Sequence, residues 1–80
     1  MKICVVEWDD ANTTHGWADK QDLEGANVAP CVSCGILARE DEREVVMVLN
    51  LGIGIYSESI TIPRGCIKRI RRLKINEKVR

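Results

Sequence analysis

The segment that most constrains the fold is residues 60–70, which read Ile-Thr-Ile-Pro-Arg-Gly-Cys-Ile-Lys-Arg-Ile. An alternating strand pattern ends at Pro63, and a second apolar-punctuated segment begins just after Gly65. Proline ends ladder pairing because it has no N–H, and glycine supplies the backbone freedom that a corner needs. A strand, a one-turn corner and a last strand are how very small barrels of the SH3-like type close. The segment therefore predicts the end of such a barrel.

Alternation of apolar and polar residues predicts an all-β fold, a small five-stranded SH3-like barrel. The predicted strands cover residues 2–8, 31–38, 45–51 and 58–62 and a last segment after the corner. A charged hairpin turn at residues 39–43 separates the second strand from the third. The last segment spaces Ile67, Ile70 and Leu73 by three, so we expect a bulge or a short 3₁₀ stretch there.

The strand faces differ in composition, and those of the first and fourth strands predict core residues. Cys4, Val6 and Trp8 share one face of the first strand, and Ile60 and Ile62 are expected to point inward. One face of the second strand has Val32, Cys34, Ile36 and Ala38, and the other has Ser33 and Gly35, whose small size lets a backbone or ligand approach. Residues 45–51 are apolar on both faces, which indicates a buried central strand or one that meets another subunit.

The connection between the first two strands is long for a compact domain, and residues 9–30 show no sustained period. A single helical turn at residues 19–23 is the only helix we predict. Trp17 lies in this otherwise polar loop, where two roles remain open. It either folds back as a plug over the open end of the barrel or forms a stacking platform for a ligand.

Size and composition restrict the class of protein. The 80 residues form one domain with a small aliphatic core, predicted at residues 1–75, followed by a basic tail at residues 76–80. No apolar run approaches the roughly 20 residues of a membrane span. An acid at position 7 interrupts any signal-peptide core. We therefore expect an intracellular protein with four reduced cysteines and no membrane partner.

A net charge of zero conceals a strong asymmetry. Residues 1–63 hold 11 acids and 4 bases, whereas residues 64–80 hold 8 bases and one acid. A basic segment of this kind can contact an anionic partner such as nucleic acid. It can equally lie over the acidic remainder of the chain or over a neighbouring subunit.

The residues that could support metal or catalytic chemistry are few. Cys31 and Cys34 have the spacing of half a zinc site, but a second closely spaced pair is missing. Residues three apart in a strand also point to opposite faces, so these two cysteines cannot both face one ion. His15 is the only histidine, and no nucleophile elbow, phosphate loop or carboxylate pair accompanies it. The sequence therefore predicts no enzyme, no metal and no cofactor.

Several short motifs in order resemble a known family: Trp8-Asp9, Gly16-Trp17, the run Cys-Val-Ser-Cys-Gly-Ile-Leu at residues 31–37, and Ile62-Pro63-Arg64-Gly65. Together they look like a family of small proteins encoded by tailed phages and prophages, expected to form SH3-like barrels. The resemblance covers about residues 5–73. It implies a mobile-element origin, a cytoplasmic location in an infected or lysogenic bacterial host, and candidate counter-defence roles.

Three binding functions follow as hypotheses. The first is a non-catalytic protein that sequesters a small anionic, nucleotide-like signal of host defence. The second is a module that inhibits or adapts a host protein, and the third is a nucleic-acid-binding barrel, which lacks interleaved aromatics in its basic segment. The predicted ligand site gathers loop residues and one corner arginine: Asp9, Asp10, Thr14, His15, Trp17 and Arg64.

Self-association is a further expectation. Residues 45–51 provide an aliphatic strand with two apolar faces, and the acidic and basic regions of neighbouring copies could meet. The sequence therefore predicts a homo-oligomer.

Overall fold

The computed structural model describes residues 1–13 and 15–74 of the chain as an all-β protein. The strands are β1 (Lys2–Asp10), β2 (Ala29–Glu40), β3 (Glu44–Leu51), β4 (Tyr56–Pro63) and β5 (Ile67–Lys74). They form one antiparallel sheet in the order β4-β3-β2-β1-β5. The predicted all-β class with five strands is confirmed, and the sheet is consistent with a small barrel-like fold. The predicted tail at residues 76–80 lies outside the described residues.

The described chain also contains two short 3₁₀ helices between its strands. A loop helix (Lys20–Gly25) lies between β1 and β2, close to the helical turn that the sequence predicts. A corner helix (Arg64–Cys66) joins β4 to β5, directly after Pro63. The one-turn corner inferred from the Pro-Arg-Gly segment is therefore present, because proline stops β4 and the chain turns once before β5 begins.

The core lies on one face of the sheet. The buried side chains of the core cluster come from β1, β3 and β4, and they are Cys4, Val6, Val45, Met47 and Ile62. Val48 of β3 is also buried but lies outside this cluster. Trp8 packs against this cluster, as its shared face with Cys4 and Val6 predicts. The indole Nε1 of Trp8 donates a hydrogen bond of 2.9 Å to Oγ of Ser33, so its polar atom is satisfied where the ring is half-buried.

Two local features of the sheet follow from the sequence. In the β1–β5 pair Glu7 lies opposite Arg69 but Trp8 lies opposite Ile67, so Lys68 is an extra residue, and the predicted bulge in the last strand is confirmed. At Gly35 a Cβ atom would lie 3.1 Å from the carbonyl oxygen of Val48. The small residue in β2 therefore allows the backbone of β3 to approach closely, as predicted for this face.

The burial of side chains decreases from the beginning of β3 to its end. Val45, Met47 and Val48 are buried, but Leu49 and Leu51 are exposed. The prediction of a strand buried on both faces therefore holds for the first half of β3 and is wrong for the second half. In β4, Ile62 is fully buried, and Ile60 lies on the same face opposite the buried Met47 but is 36% exposed, so both point inward as predicted.

Among the described residues, none of the helices has both the length and the apolar composition that crossing a membrane requires.

Candidate functional site

The loop between β1 and β2, residues 11–28, is the most open part of the described chain. All of its side chains other than the undescribed Thr14 are exposed. Trp17 has 103% of the exposure of a free side chain, and Leu23 has 70%. The plug interpretation of Trp17 is therefore wrong, because the ring covers no part of the barrel. The platform interpretation is the one that agrees with this exposure.

The loop is acidic. Asp19, Asp22 and Glu24 outnumber Lys20 in and beside the loop helix. A depression of about 360 Å³ lies in this loop, and Trp17 does not line it although both of its chain neighbours do. Its lining combines apolar and charged residues, among them Ala18, Leu23, Ala26, Asp19 and Lys20. This surface offers apolar contact surrounded mainly by carboxylates, so it suits a partner with apolar and cationic groups better than an anion.

The two aspartates at the end of β1 interact with nearby groups of the same chain. Asp10 accepts a hydrogen bond of 2.8 Å from the backbone N–H of Ala11, which directs the chain out of the strand. Asp9 is three-quarters buried, and its Oδ1 lies 3.4 Å from Nζ of Lys68 without accepting a hydrogen bond. Lys68 is the bulged residue of β5, so the bulge places its ammonium group beside this carboxylate.

Arg64 is directed at the turn between β2 and β3. Its Nε donates to the carbonyl oxygen of Asp41 at 2.8 Å, and its Nη2 donates to Oε1 of Glu40 at 2.8 Å. Its backbone N–H donates to the carbonyl oxygen of Arg43 at 2.9 Å. These contacts fasten the corner helix to the β2–β3 turn. Among the described residues, no hydrogen bond or ion pair joins Arg64 to the predicted loop residues.

Glu40 is the residue of this region that sequence reasoning did not identify. Besides Arg64 it binds Arg72, whose Nη2 donates to Oε1 at 2.7 Å and whose Nε donates to Oε2 at 3.2 Å. The hydrogen bonds from Arg72, and then the one from Arg64, lower the pKa of Glu40 from its usual 4.5 to about 2. We call these three residues the Glu40 cluster. It is a structural clamp between β2, the corner and β5.

Three other bases of β5 also have acidic neighbours on β1. Arg69 and Arg71 each approach Oε2 of Glu7 at 3.9 Å, and Lys68 approaches Asp9. The acidic and basic parts of the sequence therefore meet within one chain. This pairing agrees with the interpretation in which the basic segment lies over the acidic remainder.

The cysteines and His15 do not converge. Cys4 is buried, and burial is the main cause that raises the pKa of its thiol. Cys31 donates from Sγ to the carbonyl oxygen of Ala29 at 3.4 Å, whereas Cys34 is exposed on the strand surface. His15 is exposed in the loop. Across residues 1–13 and 15–74, no group of three or more metal-binding side chains comes together.

Of the six predicted site residues, the structure keeps Asp9 and Asp10 together at the end of β1 and exposes His15 and Trp17 in the following loop. Arg64 is engaged elsewhere, and Thr14 lies outside the described residues. The fold and the loop thus define a small all-β protein with an exposed, acidic, tryptophan-bearing loop. Comparison of the chain with protein-family models, with curated proteins and with solved structures found no match.

Proposed function

We propose that this chain is a non-catalytic protein-interaction module that engages a partner protein through the loop at residues 11–28. The single observation that supports this proposal most strongly is the complete exposure of Trp17. Tryptophan is the side chain most often found at the energetic centre of protein interfaces, and leaving it in water has no benefit for an isolated domain.

The chemistry around Trp17 suggests the kind of partner. Leu23 adds a second exposed apolar side chain, and Asp19, Asp22 and Glu24 provide negative charge near it. A complementary surface would offer an apolar recess for the indole, surrounded by lysine or arginine. In the setting that the family resemblance implies, the partner is a protein of a bacterial host, and the role is inhibition or adaptation of that protein.

Sequestration of a small anionic, nucleotide-like ligand is the second candidate function. The observation that favours it is again the open indole face of Trp17, on which a base could stack. It ranks second because the guanidinium group of Arg64, its intended anion contact, is held by Glu40 and Asp41. Nucleic-acid binding is weaker still, since four bases of β5 are paired with acids of the same chain.

A comparison of two variants tests the proposal. Tagged wild-type protein, Trp17→Ala and Val32→Ala are used to capture proteins from a bacterial extract. Val32 is the matched control because it is also apolar and 71% exposed, but it lies in β2 outside the loop. We expect one protein to be retained in stoichiometric amount by the wild type and by Val32→Ala. Trp17→Ala should retain at least roughly tenfold less of it.

Calorimetry with a panel of nucleotides completes the test. We expect no heat of binding from the wild-type protein. Saturable nucleotide binding that disappears in Trp17→Ala would establish the second candidate instead. Equal capture by wild type and Trp17→Ala, with no nucleotide binding, would show that the loop is not the site.

A further inference from the structure

The hairpin formed by the end of β3 and the start of β4, residues 49–56, extends beyond the rest of the sheet, and we call it the hairpin arm. The pairing of β2 with β3 runs only as far as Ile36 opposite Val48. Further along, β3 pairs with β4 alone, up to Leu51 opposite Tyr56. A two-stranded hairpin with no further support is marginally stable in water at best. The arm therefore lacks the support that the remainder of the sheet has.

One face of the arm continues the protein core. Side chains alternate along a strand, so Leu49 and Leu51 point to the same face of β3 as Val45 and Met47. The exposed fraction along this row rises from 0% at Val45 and 2% at Met47 to 64% at Leu49 and 55% at Leu51. The face of β3 that forms part of the core therefore extends onto the arm, where no described part of the chain covers it.

The turn of the arm adds to this apolar surface. Ile53 is 104% exposed, Ile55 is 72% exposed and Tyr56 is 66% exposed. The backbone N–H of Gly52 donates to the carbonyl oxygen of Ile55 at 2.9 Å, which closes the turn.

The exposed apolar area of the arm is close to the area that each partner buries in a protein interface of standard size. The five apolar side chains of the arm leave on the order of 600 Å² open, against roughly 800 Å² that each partner buries in an interface of standard size. The five residues are Leu49, Leu51, Ile53, Ile55 and Tyr56. An exposed apolar patch of this size is among the largest on soluble monomers and often has a binding function.

The charge pattern favours a second copy of this chain as the occupant. The arm itself, residues 49–56, contains no charged side chain, and Glu58 of β4 is the first charged residue after it. In a two-fold contact a patch meets its own copy, so a patch of one sign repels itself, whereas a neutral apolar patch does not. The acidic loop and the basic edge strand β5 fail this condition, and the arm meets it.

We propose that the apolar face of the hairpin arm is a self-association surface, which packs against the same face of a second copy of this chain. In the resulting contact the side chains on the core face of β3 in one copy pack against those of the other copy. Each arm thereby gains the packing that its own chain does not provide. This surface is separate from the loop that bears Trp17, so the inference goes beyond the proposed function and stands or fails independently of it.

Sedimentation velocity between about 1 and 100 µM tests the inference on the full chain. The variants are Leu51→Glu, which places a charge in the arm face, and Val32→Glu, which places the same charge on an exposed apolar position of β2. We expect the wild type and Val32→Glu to form a dimer, and Leu51→Glu to weaken the dimer by roughly a hundredfold or more. Circular dichroism and thermal unfolding confirm that each variant is folded.

If Leu51→Glu does not fold, Ile53→Ser replaces it, because Ile53 is fully exposed and its loss removes no buried contact. A wild type that remains monomeric over the whole concentration range would overturn the inference. An arm variant that stays folded and dimeric, or a Val32→Glu that dissociates to the same degree, would overturn it as well.

Discussion

Glu40→Gln isolates the contribution of the Glu40 cluster to stability. The substitution retains the shape of the side chain but removes its charge, and Arg64 and Arg72 then face a neutral amide. Glu40 is 28% exposed, and the two arginines are 33% and 39% exposed. The change therefore acts on a cluster at the edge of the core, and it leaves the apolar packing intact.

The magnitude follows from the pKa of Glu40. A fall from 4.5 to about 2, converted in full, corresponds to about 3.4 kcal/mol. Water and salt reach all three side chains and screen the interaction, so we expect Glu40→Gln to lower the free energy of unfolding by about 1–2 kcal/mol at pH 7. Urea unfolding measures this difference directly, since both proteins expose the same surface on unfolding.

The pH dependence has a definite sign. Because the pKa of Glu40 is lower in the folded state, its carboxylate stabilises the fold fully above about pH 4.5. The contribution is lost as the pH falls from there towards 2, where the folded carboxyl also becomes protonated. The difference between wild type and Glu40→Gln should therefore be constant near neutral pH and decrease over this acidic range.

Glu42→Gln is the matched control, because Glu42 is an exposed glutamate of the same turn, with no hydrogen bond or ion pair among the described residues. We expect its free energy of unfolding at pH 7 to remain within about 0.5 kcal/mol of the wild type. Equal stability of Glu40→Gln and Glu42→Gln at pH 7 would refute the reasoning. A loss in Glu40→Gln that persists unchanged at pH 2 would also refute it.

Two further pairs of substitutions test the packing. Gly35→Ala should lower the free energy of unfolding by about 1–3 kcal/mol, because its Cβ would press on the backbone of Val48. Gly25→Ala, whose Cβ meets nothing within 4 Å, is the control and should be close to neutral. Equal urea midpoints of Gly35→Ala and Gly25→Ala would contradict this prediction. Trp8→Ala should cost about 3–5 kcal/mol through lost core packing, whereas Trp17→Ala should leave the thermal midpoint nearly unchanged. A Trp17→Ala protein that unfolds as easily as Trp8→Ala would restore the plug interpretation.

Local patterns were sufficient to predict the strands and the corner. Alternation located five strands, and Pro63 with Gly65 located the turn between the last two. The spacing of Ile67 and Ile70 revealed the bulge, since a side-chain period of two cannot accommodate a step of three on one face. Each of these features is determined by residues close together in the sequence.

Features that depend on distant parts of the chain were not predictable in the same way. Glu40 meets Arg64 and Arg72 across 24 and 32 residues, a pairing determined by the path of the sheet. The exposure of Leu49 and Leu51 depends on where β2 stops pairing with β3, which the apolar sequence of β3 does not indicate. Trp17 could equally have folded back, because nothing within its polar loop decides between contact with the barrel and contact with water.

The central claim, that this protein acts through protein–protein contacts, is tested most directly by native mass spectrometry of the wild-type protein purified from a bacterial host. The account predicts assemblies whose masses are sums of whole protein chains, with two copies of this chain as the smallest unit. A single chain of 9.0 kDa that retains one small anionic molecule, and loses it on Trp17→Ala, would contradict the account.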